Sequence, residues 1–363
     1  MKIIDKRVIC SNPDSVFNYF GWPTVARLPD GALALAASGF RMRHICPFGK
    51  GIICYSFDEG KSWTSPAAVM DTPLDDRDSG IVAFGDGRAI FTSFNNSIAA
   101  QTNWMENLKE ETPIQRASKE FTRAYINLIS ALPESEKLLG STYKLSSDGG
   151  YTFGETRLAP VTAPHGPMPL RDGGLMYVGR RFTANDSPEQ GEENYIQCWR
   201  LNGAGEFEYV SSIEDIPNDE GGRFLSCEPH AIELPDGKII VHIRVQRGCF
   251  TTYQSVSADG GRTFSKPVRL LGKFGGAPAH LIRHSSGRLV SVYGYREPPY
   301  GIRYMVSDDE GETWNTDLIL DDSAETADLG YPASVELKDG RLLTVYYQNV
   351  DGASVIFQIV WEL

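Results

Sequence analysis

The sequence predicts an all-β fold, a six-bladed β-propeller of four-stranded blades, and three observations predict it. The 363 residues include 36 glycines and 21 prolines together with 16 tyrosines, 17 phenylalanines and 6 tryptophans. That composition suits short strands and tight turns rather than long helices. Six times an apolar strand runs into a turn ending in glycine and out into another apolar strand. Four times an eight-residue pattern, Ser-x-Asp-x-Gly-x-Ser/Thr-aromatic, recurs beside those hairpins.

The hairpins are VARLPDGALALA, IVAFGDGRAIFTSF, MPLRDGGLMYVGR, AIELPDGKIIVHIR, LIRHSSGRLVSVYG and SVELKDGRLLTVYY, turning at Gly31, Gly87, Gly173, Gly237, Gly287 and Gly340. Asp-Gly or Ser-Gly between alternating strands marks a hairpin, because glycine accepts the positive φ that such turns need. Successive turn glycines stand about one four-stranded blade apart, so each hairpin reads as the inner two strands of a blade. Blades then start near Trp22, Asp76, Pro164, Glu228, Pro278 and Tyr331.

One interval is longer than the rest. In it, TPIQRASKEFTRAYINLISAL opens with Thr112 as an N-cap and Pro113 at the first helical position, then shows apolar residues at helical spacing. This predicts a helical insertion in blade two, across residues 105–134. The last blade is short, since only ASVIFQIVWEL follows its hairpin. The N-terminal KRVIC is therefore expected to supply the outer strand and close the ring, making residues 1–363 one domain.

Lys plus Arg number 35 against 47 for Asp plus Glu, a formal charge of -12 with no basic run, which argues against a nucleic-acid partner. A few converging arginines can still hold an anionic substrate. The segment MKIIDKRVICSNPDSVFNYF lacks a continuous apolar core, and no run of about 18 apolar residues occurs anywhere. The chain reads as soluble and cytoplasmic, without a membrane partner. Six cysteines (Cys10, Cys46, Cys54, Cys198, Cys227, Cys249) form no CxxC pair and read as buried free thiols.

In a propeller the starts of the innermost strands converge on the axis, so the residues just before each hairpin are candidates for a shared pocket. They read FGWP (20–23), DDRDSG (75–80), PHGP (164–167), SCEPH (226–230), APAH (277–280) and LGYP (329–332). His165, His230 and His280 open blades three to five, with His44 as a further member of the cluster. Neutral imidazoles there can hydrogen-bond sugar hydroxyls, transfer protons or hold a divalent metal. His242 and His284 read as strand or surface residues.

The four-copy pattern, Ser56 to Trp63, Ser146 to Phe153, Ser257 to Phe264 and Ser307 to Trp314, resembles the Asp-box, or bacterial neuraminidase repeat, of sialidase-like β-propellers. Its role is structural: the carboxylate accepts hydrogen bonds from its own turn, and the aromatic ring buries between sheets. CEPHAIELPDGKIIVHIR is similar to the fourth-blade segment of sialidases, with Glu228 and Arg244 at its functional positions. LGYPASVELKDG resembles the last-blade segment whose tyrosine is the nucleophile, here Tyr331. The resemblance implies a Tyr–Glu couple, because a phenol with a pKa near about 10 needs a carboxylate to take its proton as it attacks.

The resemblance also implies three arginines around a substrate carboxylate. Arg244 is the second, and Arg303 or Arg296 the third. The first departs: where sialidases have Tyr-Arg-Ile-Pro, this chain has Phe20-Gly21-Trp22-Pro23. Trp22 then faces the substrate, and Arg41, Arg43 or Arg77 would approach from other loops. The acid/base departs too, since SGFRMRHICPFGKG contains no aspartate. Asp78, Asp76 and His44 are its candidates.

The functional expectation is an exo-acting, retaining glycoside hydrolase that removes a terminal acidic or related sugar from a carbohydrate, with no cofactor and no metal. A lyase acting on uronate-containing glycans through His and Tyr, and a non-catalytic glycan-binding propeller, are the alternatives.

Overall fold

The computed structural model describes residues 1–181, 195–273 and 278–363. These residues form a propeller-like all-β arrangement of small sheets whose strands mostly follow one another in chain order. Three sheets have four strands each and begin with Arg77–Phe84, Ser226–Glu233 and Ala279–Arg283. A fourth has five strands, centred on Leu175–Arg181. Its inner edge is split between Val161–Thr162 and Met168–Pro169, where Pro164, Pro167 and Pro169 remove ladder donors.

The remaining sheet has eight strands, and here the expectation of six separate four-stranded sheets is corrected: five sheets form, four of them single blades. In the eight-stranded sheet, Leu329–Glu336, Leu342–Val350, Ala353–Glu362 and Lys2–Cys10 join Tyr19–Arg27, Leu33–Arg41, Lys50–Ser56 and Ala67–Met70. A single parallel pair, Tyr19 with Ser354, makes the junction. The cause is local, since Ser354 donates its backbone N–H to the Asn18 carbonyl and its hydroxyl to the Phe20 carbonyl. Lys2–Cys10 pairs antiparallel with Ala353–Glu362 along its whole length, as expected for KRVIC.

All six turn glycines adopt φ between 72° and 93°, the region closed to most other residues. The connection between Arg88–Phe94 and Ser141–Ser146 contains α1 (Ile98–Glu106), α2 (Pro113–Ser130) and α3 (Glu134–Lys137). Thr112 caps α2 through a reciprocal pair with Gln115, and Pro113 occupies its first position. None of the helices among the described residues is long and apolar enough to cross a membrane.

The core is divided among the gaps between sheets. Leu33, Leu35 and Ile52 meet Val345, Tyr347 and Ile356 across the two halves of the eight-stranded sheet. Ile90 and Tyr143 meet Leu175 and Tyr177 at the next gap but one, and Val290 and Val292 meet Leu342 and Trp361 on the opposite side. The Ser-x-Asp turns pin these gaps. In each, the Ser hydroxyl binds the Asp carboxylate and accepts the Gly N–H, while the carboxylate binds both N–H and hydroxyl of the Ser/Thr. Two of their aromatic rings reach across a gap: Trp63 donates to Gln358 in the other half of the eight-stranded sheet, and Trp314 donates to Gln254 in the preceding sheet. All six cysteines are free thiols, five of them buried.

Candidate active site

One backbone device recurs on the inner strands. Pairing with the second strand is interrupted between Gly21 and Thr24, Arg77 and Gly80, Cys227 and His230, and Gly330 and Ala333. The first residue in each gap has a left-handed φ: Trp22 54°, Asp78 43°, Glu228 47° and Tyr331 50°. Three of the four precede proline, which cannot donate to the ladder and is tolerated at a bulge. A non-glycine residue held at such φ stores strain of about 1–3 kcal/mol, a cost that concentrates at functional sites.

Three of those residues, Asp78, Glu228 and Tyr331, line one cavity of about 540 Å³. At its floor the Tyr331 hydroxyl donates to Glu228 Oε1 at 2.7 Å. Arg244 pairs with Glu228 Oε2 and donates to the Tyr331 oxygen at 3.3 Å. Burial and the Glu228 charge push the Tyr331 phenol well above its ordinary pKa, with Arg244 acting against them. The resting phenol is thus protonated, and its proton already points at the carboxylate that can receive it.

Asp78 faces the same cavity, buried, and its Oδ1 has no hydrogen-bond partner among the described residues. Burial pushes its pKa up to about 7, with Arg77 pulling down and Glu228 pushing up. Asp76 does not reach the cavity. Both of its oxygens are taken by Thr72, at 2.6 Å from the N–H and 2.8 Å from the hydroxyl, so it closes a turn.

His44 stands at the cavity mouth. Its Nδ1 lies 3.1 Å from Asp328 and 2.9 Å from the Tyr19 hydroxyl, while Nε2 faces the Arg77 guanidinium at 3.3 Å. Since Arg77 is a donor only, Nε2 must accept and the ring proton sits on Nδ1. Partial burial holds the imidazole below its ordinary pKa despite Asp328. His44 is a neutral base rather than a proton donor.

The arginines divide. Arg77, Arg244 and Arg296 line the cavity, and Arg296 lies over the Tyr331 ring, 5.7 Å from its centroid, while donating to the Leu329 carbonyl. Arg303 does not line it: its guanidinium binds the carbonyls of Asp321 and Pro299 and covers Tyr295. Arg43 is turned to α2, on the hydroxyls of Ser118 and Thr122. Arg41 is buried against Asp75 at 2.6 Å. Trp22 lies beneath the site, with Arg41 and Arg77 at 4.9 and 4.5 Å from its ring centroid. It positions arginines instead of lining the cavity.

His165, His230 and His280 do meet at the axis, with ring centroids 4.2 to 5.7 Å apart, but they are buried outside the cavity lining. His230 Nδ1 accepts the Leu281 N–H and His280 Nδ1 the Ser334 N–H, tying each inner strand to the next. An Nδ1 that accepts leaves the proton on Nε2, so a cation there would have to displace it. Substrate contact and metal binding both fit His230 and His280 poorly, and His165, whose Nδ1 meets the Thr24 hydroxyl at 3.1 Å, is buried beside them. The start of blade five, APAH, lies partly outside the described residues at Ala277.

Sequence reasoning missed Asp328, which also accepts from Tyr19 and Tyr347, and missed Arg180 and Arg181, which line the cavity at the end of Leu175–Arg181. Position was the available signal for the arginines: like Arg244, they close the second strand of a hairpin. Among the described residues, five arginines therefore surround the cavity, and Asp78 and Glu228 are its lining carboxylates.

Solved structures share this fold. A protein of unknown function from Dyadobacter fermentans is 22% identical, with a TM-score of 0.75 over 99% of this chain and 98% of its own. The NanB sialidase of Streptococcus pneumoniae is 15% identical, with a TM-score of 0.67 over 98% of this chain and 70% of its own. The intramolecular trans-sialidase of Ruminococcus gnavus, in complex with oseltamivir carboxylate, is 13% identical, with a TM-score of 0.65 over 99% and 98%. No curated protein matches the sequence. The family described as BNR repeat-like domain matches residues 128–344, more than half of the chain, and with the repeated turns and inner strands in place the protein belongs to that family of the sialidase-like propellers.

Proposed function

We propose that this protein is an exo-acting, retaining glycoside hydrolase that removes a terminal acidic or related sugar. The Tyr331–Glu228 hydrogen bond of 2.7 Å beneath a cavity lined by Arg77, Arg244 and Arg296 carries the reading. Tyr331 attacks the anomeric carbon as its proton passes to Glu228, forming a covalent glycosyl–enzyme bond while Asp78 protonates the departing oxygen. Asp78 then takes a proton from the water that releases the sugar. Arg244, Arg296 and Arg77 hold the acidic group, with Arg77 in the role left open by Gly21. The sialidase and trans-sialidase folds support a sugar substrate, and the carboxylate ligand of the latter is in keeping with the arginines.

The architecture behind this proposal is one propeller of six blades. The halves of the eight-stranded sheet pack face to face across their own apolar cluster and share one residue pair, which supports counting them as two blades. The three helices then form an insertion in the second.

The test is a panel of acidic glycosides with NMR detection of the product anomer. Retained configuration is expected, with Tyr331→Phe lowering kcat by orders of magnitude at unchanged melting temperature and Glu228→Gln lowering it less. Tyr331→Phe within about threefold of wild type would refute the nucleophile. An unsaturated uronate product absorbing in the ultraviolet would replace the reading by a lyase with His44 as base.

A further inference from the structure

The helix α2 is apolar on two faces, and only one of them is covered. Its buried side carries Ile126 and Ile129, with Lys119 and Thr122. Nearly opposite, at spacings of three and four residues, stand Ile114, Ala117, Phe121, Ala124, Leu128 and the C-cap Ala131, all exposed. Exposure reaches 66% for Ile114, 50% for Phe121 and 65% for Leu128. A helix with two apolar faces wants two partners, and an unbroken 3-4 repeat is the seam of a helix pair.

We propose that α2 is a homodimer interface, pairing antiparallel with α2 of a second copy. The seam is self-complementary. Under a two-fold axis between residues 122 and 123, Ile114 meets Ala131 of the second copy, Ala117 meets Leu128 and Phe121 meets Ala124, so every large side chain faces a small one. The reverse, parallel pairing sets Ile114, Phe121 and Leu128 against themselves. The consequence reaches the cavity, because α2 packs on α1 and α1 contributes Ala99, Ala100 and the half-exposed Trp104 to the cavity rim. A second copy on α2 therefore braces one wall of the cavity.

A single helix pair is small for a stable interface, so the dimer is expected to dissociate in the micromolar range. Sedimentation equilibrium of the intact protein between about 1 and 100 μM should show the apparent mass rising toward twofold. Phe121→Glu with Leu128→Glu should hold it at the monomer while leaving the melting temperature unchanged, since both side chains are exposed. Independently of that variant, Ala117→Cys with Leu128→Cys should oxidise to a covalent dimer linked 117 to 128, whereas Ile114→Cys with Ala117→Cys should not link between copies. Wild-type protein that stays monomeric over the whole range overturns the proposal. So does a dimer that persists in the double glutamate variant, or one whose cross-links avoid α2. A monomer that co-sediments with phosphatidylcholine–phosphatidylglycerol vesicles assigns the stripe to a lipid surface and equally overturns it.

Discussion

At the scale of single residues, the site separates two groups that bare sequence left as rivals. His44 is neutral with its lone pair directed at Arg77, whereas Asp78 is held by burial near pH 7 in a form that can give a proton. The pH dependence follows with a definite sign. An acid that must be protonated loses activity as pH rises through its pKa, so kcat/KM should fall on an alkaline limb near pH 7. Asp78→Asn should remove that limb and cost about a hundredfold to ten-thousandfold in kcat on substrates with poor leaving groups, and much less on aryl glycosides that need no protonation. A limb that survives in Asp78→Asn but vanishes in His44→Ala would transfer the role to the histidine.

At the scale of elements, what could be read from sequence was whatever is local. A turn glycine, a capping threonine and an aromatic ending a Ser-x-Asp turn each declare themselves within eight residues, and the positions of Glu228, Tyr331 and Asp78 followed from the hairpins. What depended on one hairpin end meeting another could not be read. Arg296 and Arg303 flank the same hairpin, yet only Arg296 runs past the strand toward Leu329, while Arg303 is captured by the carbonyl of Asp321. Asp328 gains its place from Tyr19 and His44, some 300 residues away. The aromatic of each turn acts between elements, and this gives a stability test. Trp314 packs on His242 at 4.9 Å between centroids and donates to Gln254. Trp314→Ala should lower unfolding free energy by about 3 kcal/mol, the low end for a tryptophan truncation because the ring is only partly buried. The urea midpoint measures it, and a loss under about 1 kcal/mol would mean that the sheets are held together elsewhere.

At the scale of the molecule, the first strand covers an edge of the last one, as an apolar strand edge requires. Lys2–Cys10 covers Ala353–Glu362 from Ile356 to Glu362, a stretch in which Ile356, Ile359, Val360 and Trp361 are buried. The first strand is also tied on both sides: Lys6 binds Asp321 of the neighbouring sheet at 2.8 Å, and Arg7 reaches the Gly60 carbonyl in the other half of its own eight-stranded sheet. Removing residues 1–10 should therefore do more than trim a terminus. It bares a long, apolar, unpaired edge that can add strands from other chains. The truncated protein is expected to aggregate on light scattering and to melt several degrees lower. A synthetic peptide of residues 1–12, added in trans, should restore both properties by pairing with the exposed edge. A truncated protein that stays unaggregated with an unchanged melting temperature would show that the ring holds without its first strand. Rescue by a scrambled peptide of the same composition would show that the effect is charge and not strand pairing.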